Sequence, residues 1–322
     1  MKKLFLQAAV MLLTVFVFTG CASTPVEENT SAKNGKNQVP VLTLNNGVEM
    51  PQFGLGTFML DDKNGEAYNS VLTALKLGYR HIDTAHAYQN ERSVGRAIKD
   101  SGVPREEIWV TSKLWPTDYN DEKALDKMLE RLGLEYLDLV YVHQPIGDYM
   151  AAWNLLAKAQ KEGKVRALGL SNFDRTEDLF DSFMAQAEVK PQIMQLECHP
   201  YAQRLHWQKK LKENNMKQEN WFPLGGRVSQ GAILKNETIV KIANAKGKSP
   251  AQIVIRWHIQ EGFSVIPGAS NPDYIKENIE VFDFSLTEEE MREIRALNTE
   301  SLFFTTSMEK LKSYMNVDLK DW

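Results

Sequence analysis

Apolar and polar positions change period along this chain in a way that divides it. Residues 4–19 are almost wholly apolar. Residues 22–38 hold no periodic apolar pattern and are rich in Ser, Thr, Asn, Glu and Lys, so they read as a flexible tether spanning on the order of 20 Å. From Val41 the texture becomes regular. Apolar stretches at 41–44 and 48–50 flank Asn46-Gly47, a pair suited to the positive-φ turn of a β-hairpin. After it, short apolar runs at 54–57, 81–85, 108–114, 137–143, 166–171, 193–197, 218–222 and 263–267 alternate with longer amphipathic stretches. Residues 66–77 place Ala67, Val71, Ala74 and Leu75 on one helical face before Gly78. Residues 121–132 do the same with Ala124, Leu125, Met128, Leu129 and Leu132 before Gly133. Asn271-Pro272 reads as an N-cap followed by a first-turn proline.

Strands alternating with helices imply a parallel sheet. Eight such units over about 280 residues predict an α/β chain folded as a (β/α)8 TIM barrel, with an N-terminal β-hairpin, over residues 39–322. An open doubly wound sheet is the alternative. It favours G-x-G-x-x-G after the first strand, and Met59 stands where the third glycine of Gly54-Leu-Gly56 would fall. The seventh run is unusually polar (Lys217-Gln-Glu-Asn220), which predicts a weak strand with no assigned role.

Composition changes the picture at the N-terminus. Lys2 and Lys3 precede the apolar residues, and Phe18-Thr19-Gly20-Cys21 follows them. A basic start, a short apolar core and small residues describe a secretory signal at 1–20. A Cys directly after the small residue resembles the lipobox of bacterial lipoproteins, although Phe18 stands where Leu is usual. The expectation is an exported protein lipid-anchored through Cys21 to a bacterial membrane, on the periplasmic or extracellular face. A single transmembrane anchor is the alternative, and the run is short for one. With Cys21 lipidated, Cys198 is the only other cysteine, so no intramolecular disulfide supports the fold. The net charge of −4, without a basic run, excludes a nucleic-acid partner. No large coherent apolar face stands out, which predicts a monomer.

On this layout Asp83, Tyr88, Lys113 and His143 fall at or just past strand C-termini, the face on which barrel active sites are built. Singly, each has an ordinary structural use as cap, packing residue or solvated charge. Together they suit carbonyl reduction, which needs hydride at carbon and a proton at oxygen. A tyrosine can give that proton, a neighbouring ammonium lowers its pKa, a carboxylate holds the ammonium, and a histidine orients the carbonyl. No metal site competes: His81, His86, His199, His206 and His258 do not fall in ligand spacings, and no G-x-S-x-G is present.

The stretch from Gly78 through Ala97, together with Thr111-Ser-Lys-Leu-Trp115, Tyr141-Val-His-Gln-Pro145, Gly169-Leu-Ser-Asn-Phe173 and Gln195-Leu-Glu-Cys-His-Pro200, closely resembles the aldo-keto reductase family. The resemblance runs in family order over roughly residues 41–300. It implies a catalytic tetrad of Asp83, Tyr88, Lys113 and His143, with Tyr88 as proton donor. It implies NADPH or NADH as cofactor, with Ser171, Asn172 and Gln195 on the nicotinamide carboxamide and Trp221 stacked on the ring. Thr57, Pro223, Leu224, Gly225 and Ser270 would also contact the cofactor, and Glu277 and Asn278 its adenine. Phe58, Trp115 and His143 would line the pocket of a small-molecule carbonyl substrate.

The chain departs from the family at the clamp for the 2′-phosphate of NADPH. Gly268 and Ala269 replace the usual Lys and Ser, and Tyr274 replaces an Arg, leaving Ser270 and Lys276 as the nearest substitutes. The incomplete clamp puts NADP specificity in question and points to NADH or the use of both cofactors. Export adds a second tension, because free nicotinamide cofactors are scarce outside the cytoplasm. Two other functions stay open at this point. One is a membrane-anchored binding or regulatory lipoprotein without turnover. The other is a hydrolase, which would need a second acid facing Asp83.

Overall fold

The computed structural model describes residues 39–319. Cys21, the leader and the tether lie outside the described residues. The chain opens with an antiparallel hairpin of β1 (Val41–Thr43) and β2 (Glu49–Pro51), turned at Gly47 with φ +82°. Eight parallel strands follow: β3 (Leu55–Gly56), β4 (His81–Asp83), β5 (Trp109–Leu114), β6 (Leu137–Val142), β7 (Val165–Ser171), β8 (Ile193–Glu197), β9 (Lys217–Trp221) and β10 (Ser264–Val265). Each pairs with its sequence neighbour. The ring closes where Phe53, just before β3, bridges Val265 in parallel. Gly54 N donates to Val265 O at 3.0 Å, and Val265 N donates to Gln52 O at 3.0 Å. The expected barrel, with its hairpin, is the observed fold.

Side chains alternate across the wall as the strand period requires. Val110, Leu114, Val140, Val142, Leu168, Leu170, Met194 and Leu196 face outward and pack against helices, including Ala124–Leu132 and Tyr149–Lys161. Trp109, Leu139, Tyr141, Ala167 and Ile193 face inward and form a separate apolar cluster with Leu44 and Met50 of the hairpin. The hairpin therefore caps the N-terminal end of the barrel. Tyr141 lies across β7 so closely that a Cβ on Gly169 would meet its ring at 2.3 Å. That close approach explains a glycine in the middle of a strand.

The N-cap expectation at Asn271 is met: its side chain accepts from Asp273 N at 2.8 Å at the head of helix Pro272–Ile279. The expectation of a weak seventh strand is not met. β9 is in register with β8 along its whole length and carries β10 on its other edge. Its polar side chains have buried partners. Asn220 Nδ2 donates to His258 Nδ1 at 2.9 Å on the helix side, and Glu219 accepts hydrogen bonds inside the barrel.

Candidate active site

The C-terminal ends of the strands open onto a cleft of about 540 Å³, within the range of small-molecule sites. β4 ends at Asp83, and the short turn His86–Tyr88 carries Tyr88 over the opening. Lys113 stands near the end of β5 with no exposed surface. Its Nζ donates to Asp83 Oδ1 at 2.6 Å, to Thr84 O at 2.9 Å and to Tyr88 Oη at 3.2 Å. Its three donors are thus spent on one carboxylate, one carbonyl and the phenol oxygen, and the ammonium is fixed beneath the phenol. His143 follows β6, its ring edge-on to that of Tyr88 at 5.8 Å. The four residues expected to converge do converge.

Burial governs their protonation. It works against the charge on Lys113, but the Asp83 carboxylate and Tyr88 outweigh it, and the Lys113 pKa lies above its ordinary value. Burial pushes the Asp83 carboxyl up, with Lys113 pulling it back. Burial, followed by the Lys113 charge, holds His143 well below the usual imidazole range, so the ring is neutral. Tyr88 departs from the expectation that its ammonium neighbour lowers its pKa. Burial raises it more than Lys113 lowers it, and the nearby Asp83 carboxylate adds to the rise. The phenol therefore stays protonated and loaded.

β7 delivers Ser171, and Asn172 follows it in the left-handed region at φ +63°. Asn172 Nδ2 donates to Ser171 Oγ at 3.1 Å and to His143 O at 3.0 Å. Ser171 Oγ accepts there and keeps its own hydrogen to give. β8 delivers Gln195, whose Nε2 donates to Asp83 Oδ2 at 2.8 Å and to Glu219 Oε2 at 2.6 Å. A hydroxyl donor beside an amide acceptor is the complement of a primary carboxamide, so the residues present fit a nicotinamide group.

Trp221, Pro223, Leu224 and Ser270 line the cleft with these residues, as do Phe58 and Trp115. The Trp115 ring lies 5.0 Å from that of His143, and the Phe58 ring 5.1 Å from that of Tyr88. Four expected contacts are not brought to the lining. Thr57 is buried beneath it with its hydroxyl donating to Asp83 O at 3.0 Å. Gly225 packs against Ser229, Asn278 is buried, and Glu277 accepts from Ser249 Oγ. Lys276 is exposed and 4.0 Å from Glu280, and Tyr274 is exposed. Glu66 and Arg227 also line the cleft near Ser270. Hydrogen bonds from Ser270 and from Asp61 N, with help from Arg227, hold Glu66 below the usual carboxylate range.

Sequence reasoning missed two contributors. The first is the C-terminal segment. Phe303 N and Phe304 N donate to Glu197, and Trp115 Nε1 donates to Tyr314 O at 3.1 Å. Phe304, Thr306, Tyr314 and Val317 thereby form one side of the cleft. No period marks this segment, so it gave no signal. The second is Glu219, legible only as an acid in an otherwise buried strand.

The aldo/keto reductase family model matches residues 52–299. The chain belongs to the aldo/keto reductase family. It is 46% identical over 263 residues to the 9,11-endoperoxide prostaglandin H2 reductase of Trypanosoma cruzi, covering 80% of this chain and 91% of that one. It is 44% identical over 259 residues to the glyoxal reductase of Bacillus subtilis, covering 79% and 91%. The crystal structure of the Bombyx mori aldo-keto reductase in complex with NADP superposes with a TM-score of 0.78 at 31% identity, covering 87% of this chain and 98% of that one. This reductase is accordingly an NAD(P)H-dependent oxidoreductase that reduces carbonyl groups.

Proposed function

We propose that Tyr88 is the proton donor of this reductase, and that Asp83, Lys113 and His143 act on it and on the carbonyl. The observation that carries this reading is the Lys113 ammonium, buried and fixed 3.2 Å from the Tyr88 oxygen and 2.6 Å from Asp83. Bound NAD(P)H supplies the hydride. Tyr88 holds the proton at its Oη and passes it to the developing alkoxide. The Lys113 charge beneath stabilises the phenolate left behind. Neutral His143 directs an imidazole edge at the carbonyl and fixes which oxygen Tyr88 meets. Ser171 and Gln195 would hold the carboxamide and Trp221 would flank the ring, which would restrict the ring to one orientation. Phe58, Trp115 and the C-terminal aromatic residues exclude water from the reacting centre. The substrate class is a small aldehyde or ketone with an apolar flank.

The reductase accepts either dinucleotide on this reading. Gly268, Ala269 and Tyr274 supply no charge for a 2′-phosphate, and Glu66 sets a carboxylate beside Ser270. Titration of the purified protein with NADPH and with NADH, followed by tryptophan fluorescence, tests the whole reading. Quenching with micromolar affinity for at least one is expected, and the ratio of the two affinities measures the clamp. Absence of binding by both would return the chain to the class of binding proteins without turnover.

The same proposal extends to the chain outside the described residues. The reductase is exported by a signal at 1–20, lipidated at Cys21, tethered by 22–38 and acts as a monomer of 39–322. The leader and the Gly20-Cys21 junction in the sequence support this. Cys21→Ala is expected to move the protein from the membrane fraction to the soluble fraction. Retention of the unprocessed variant in the membrane would favour a transmembrane anchor.

A further inference from the structure

The barrel holds a second buried acid that the tetrad does not use. Glu219 stands on β9, wholly inside, and three hydrogen-bond donors converge on it. Tyr141 Oη donates to Oε2 at 2.9 Å, Gln195 Nε2 donates to the same oxygen at 2.6 Å, and Ser264 Oγ donates to Oε1 at 2.9 Å. These partners come from β6, β8 and β10, so the acid links strands from three directions. A hydrolase would need two acids facing each other across a substrate. Here Asp83 and Glu219 instead share the Nε2 of one amide.

That sharing has a consequence for the cleft. An amide nitrogen has two hydrogens, and both are committed to carboxylates. The carbonyl end of Gln195 cannot turn toward either acid, because carboxylate oxygens only accept. Oε1 is thus left as the end facing the cleft, since both hydrogen bonds of the Gln195 side chain are made by Nε2. Oε2 is the acceptor for both Tyr141 and Gln195, which fixes the oxygen that faces the amide.

We propose that Glu219 is a positioning residue: with Asp83 it locks the Gln195 amide so that the site meets the nicotinamide carboxamide with an acceptor only, and therefore requires its NH2 group. This rests on the cofactor reading above. The clamp makes Gln195 a discriminator, where a freely rotating amide would offer a donor or an acceptor as needed.

The test compares dissociation constants, by tryptophan fluorescence, for the oxidised dinucleotide and for its 3-acetylpyridine analogue, in which a methyl replaces the NH2. In the wild-type protein the analogue leaves the Gln195 acceptor unpaired, and binding roughly tenfold weaker is expected. The variant Glu219→Leu, combined with Tyr141→Phe so that the Tyr141 hydroxyl is not stranded, leaves the amide held through Asp83 alone and so loosens it. Its ratio should fall below about threefold. Glu219→Gln keeps an acceptor at the Oε2 position and should retain the wild-type ratio. A general structural role would weaken both ligands alike and leave the ratio unmoved.

Three results would overturn the proposal: equal affinities in the wild type, an unchanged ratio in the folded double variant, or a collapsed ratio in Glu219→Gln. Should the double variant not fold, the wild-type and Glu219→Gln ratios still decide. Failure of the cofactor reading looks different, because then the wild-type protein binds neither ligand.

Discussion

The two ends of this barrel are built from the same strands and do opposite work. At the N-terminal end the inward residues of β5, β6, β7 and β8 are Trp109, Leu139, Ala167 and Ile193, and the hairpin closes over them with Leu44 and Met50. At the C-terminal end the inward positions are Lys113, Ser171 and Gln195, with the His143 that follows β6. Tyr141 joins the two, its ring in the apolar cluster and its hydroxyl on Glu219. One end buries apolar surface and contributes stability. The other buries charge and amides, which is costly unless each is paired, and turns that cost into chemistry.

Separate mutations should separate these roles. Tyr88→Phe removes the proton donor and leaves the ring in place. It should lower kcat for carbonyl reduction by about 10²–10⁴-fold, the usual worth of a general acid. Cofactor affinity by fluorescence should stay within about twofold, since the phenol touches none of the carboxamide partners. A variant that kept its activity would remove Tyr88 from the proton path.

Leu139→Ala is the counterpart at the other end. Leu139 is wholly buried in the plug. Its truncation should cost about 2–5 kcal/mol of stability, read by denaturant unfolding, with kcat per folded molecule unchanged. A fall in kcat without loss of stability would show that the plug reaches the chemistry through Tyr141.

The difference between the ends also decides what could be read from sequence. The strands were legible because both faces of the barrel wall are buried, so each reads as a short apolar run. Ile193–Glu197 matches its predicted range residue for residue, and the others differ by one or two positions at one or both ends. The tetrad was legible because its members fall at strand ends and carry the family motifs. β9 misled the reading: Lys217, Gln218, Glu219 and Asn220 look unsuited to a core, and their partners Tyr141, Gln195, Ser264 and His258 come together only after the barrel closes. The C-terminal segment had no period because it is held by backbone N–H groups donating to Glu197, which leave no side-chain pattern.

The mouth extends outward to the phosphate clamp, and there the effects are smaller because the groups are wet. Tyr274 is exposed, so Tyr274→Arg disturbs little packing. An exposed guanidinium beside a phosphate contributes about 0.5–1 kcal/mol. The NADPH-to-NADH affinity ratio should therefore rise roughly two- to fivefold, in competing titrations at low salt, and fall back as salt is added. No change would place the 2′-phosphate away from this helix, against Arg227 instead.

The smallest expected effect is also the strictest test of how dry the mouth is. In reduction Tyr88 must hold its proton and His143 must stay neutral. Burial raises the Tyr88 pKa, so the donor form persists through neutral pH and is lost only as pH rises through that raised value. Burial depresses the His143 pKa well below 6.5, so the ring charges only as pH falls far below that value. Neither group titrates in between, and kcat at saturating cofactor should vary by less than about twofold from pH 6 to pH 9. A limb near pH 6.5 would mean that His143 is solvated. A limb near pH 8 would mean that the Lys113 charge outweighs burial at Tyr88. In either case the catalytic end would be an open, hydrated rim instead of a buried layer continuous with the plug beneath it.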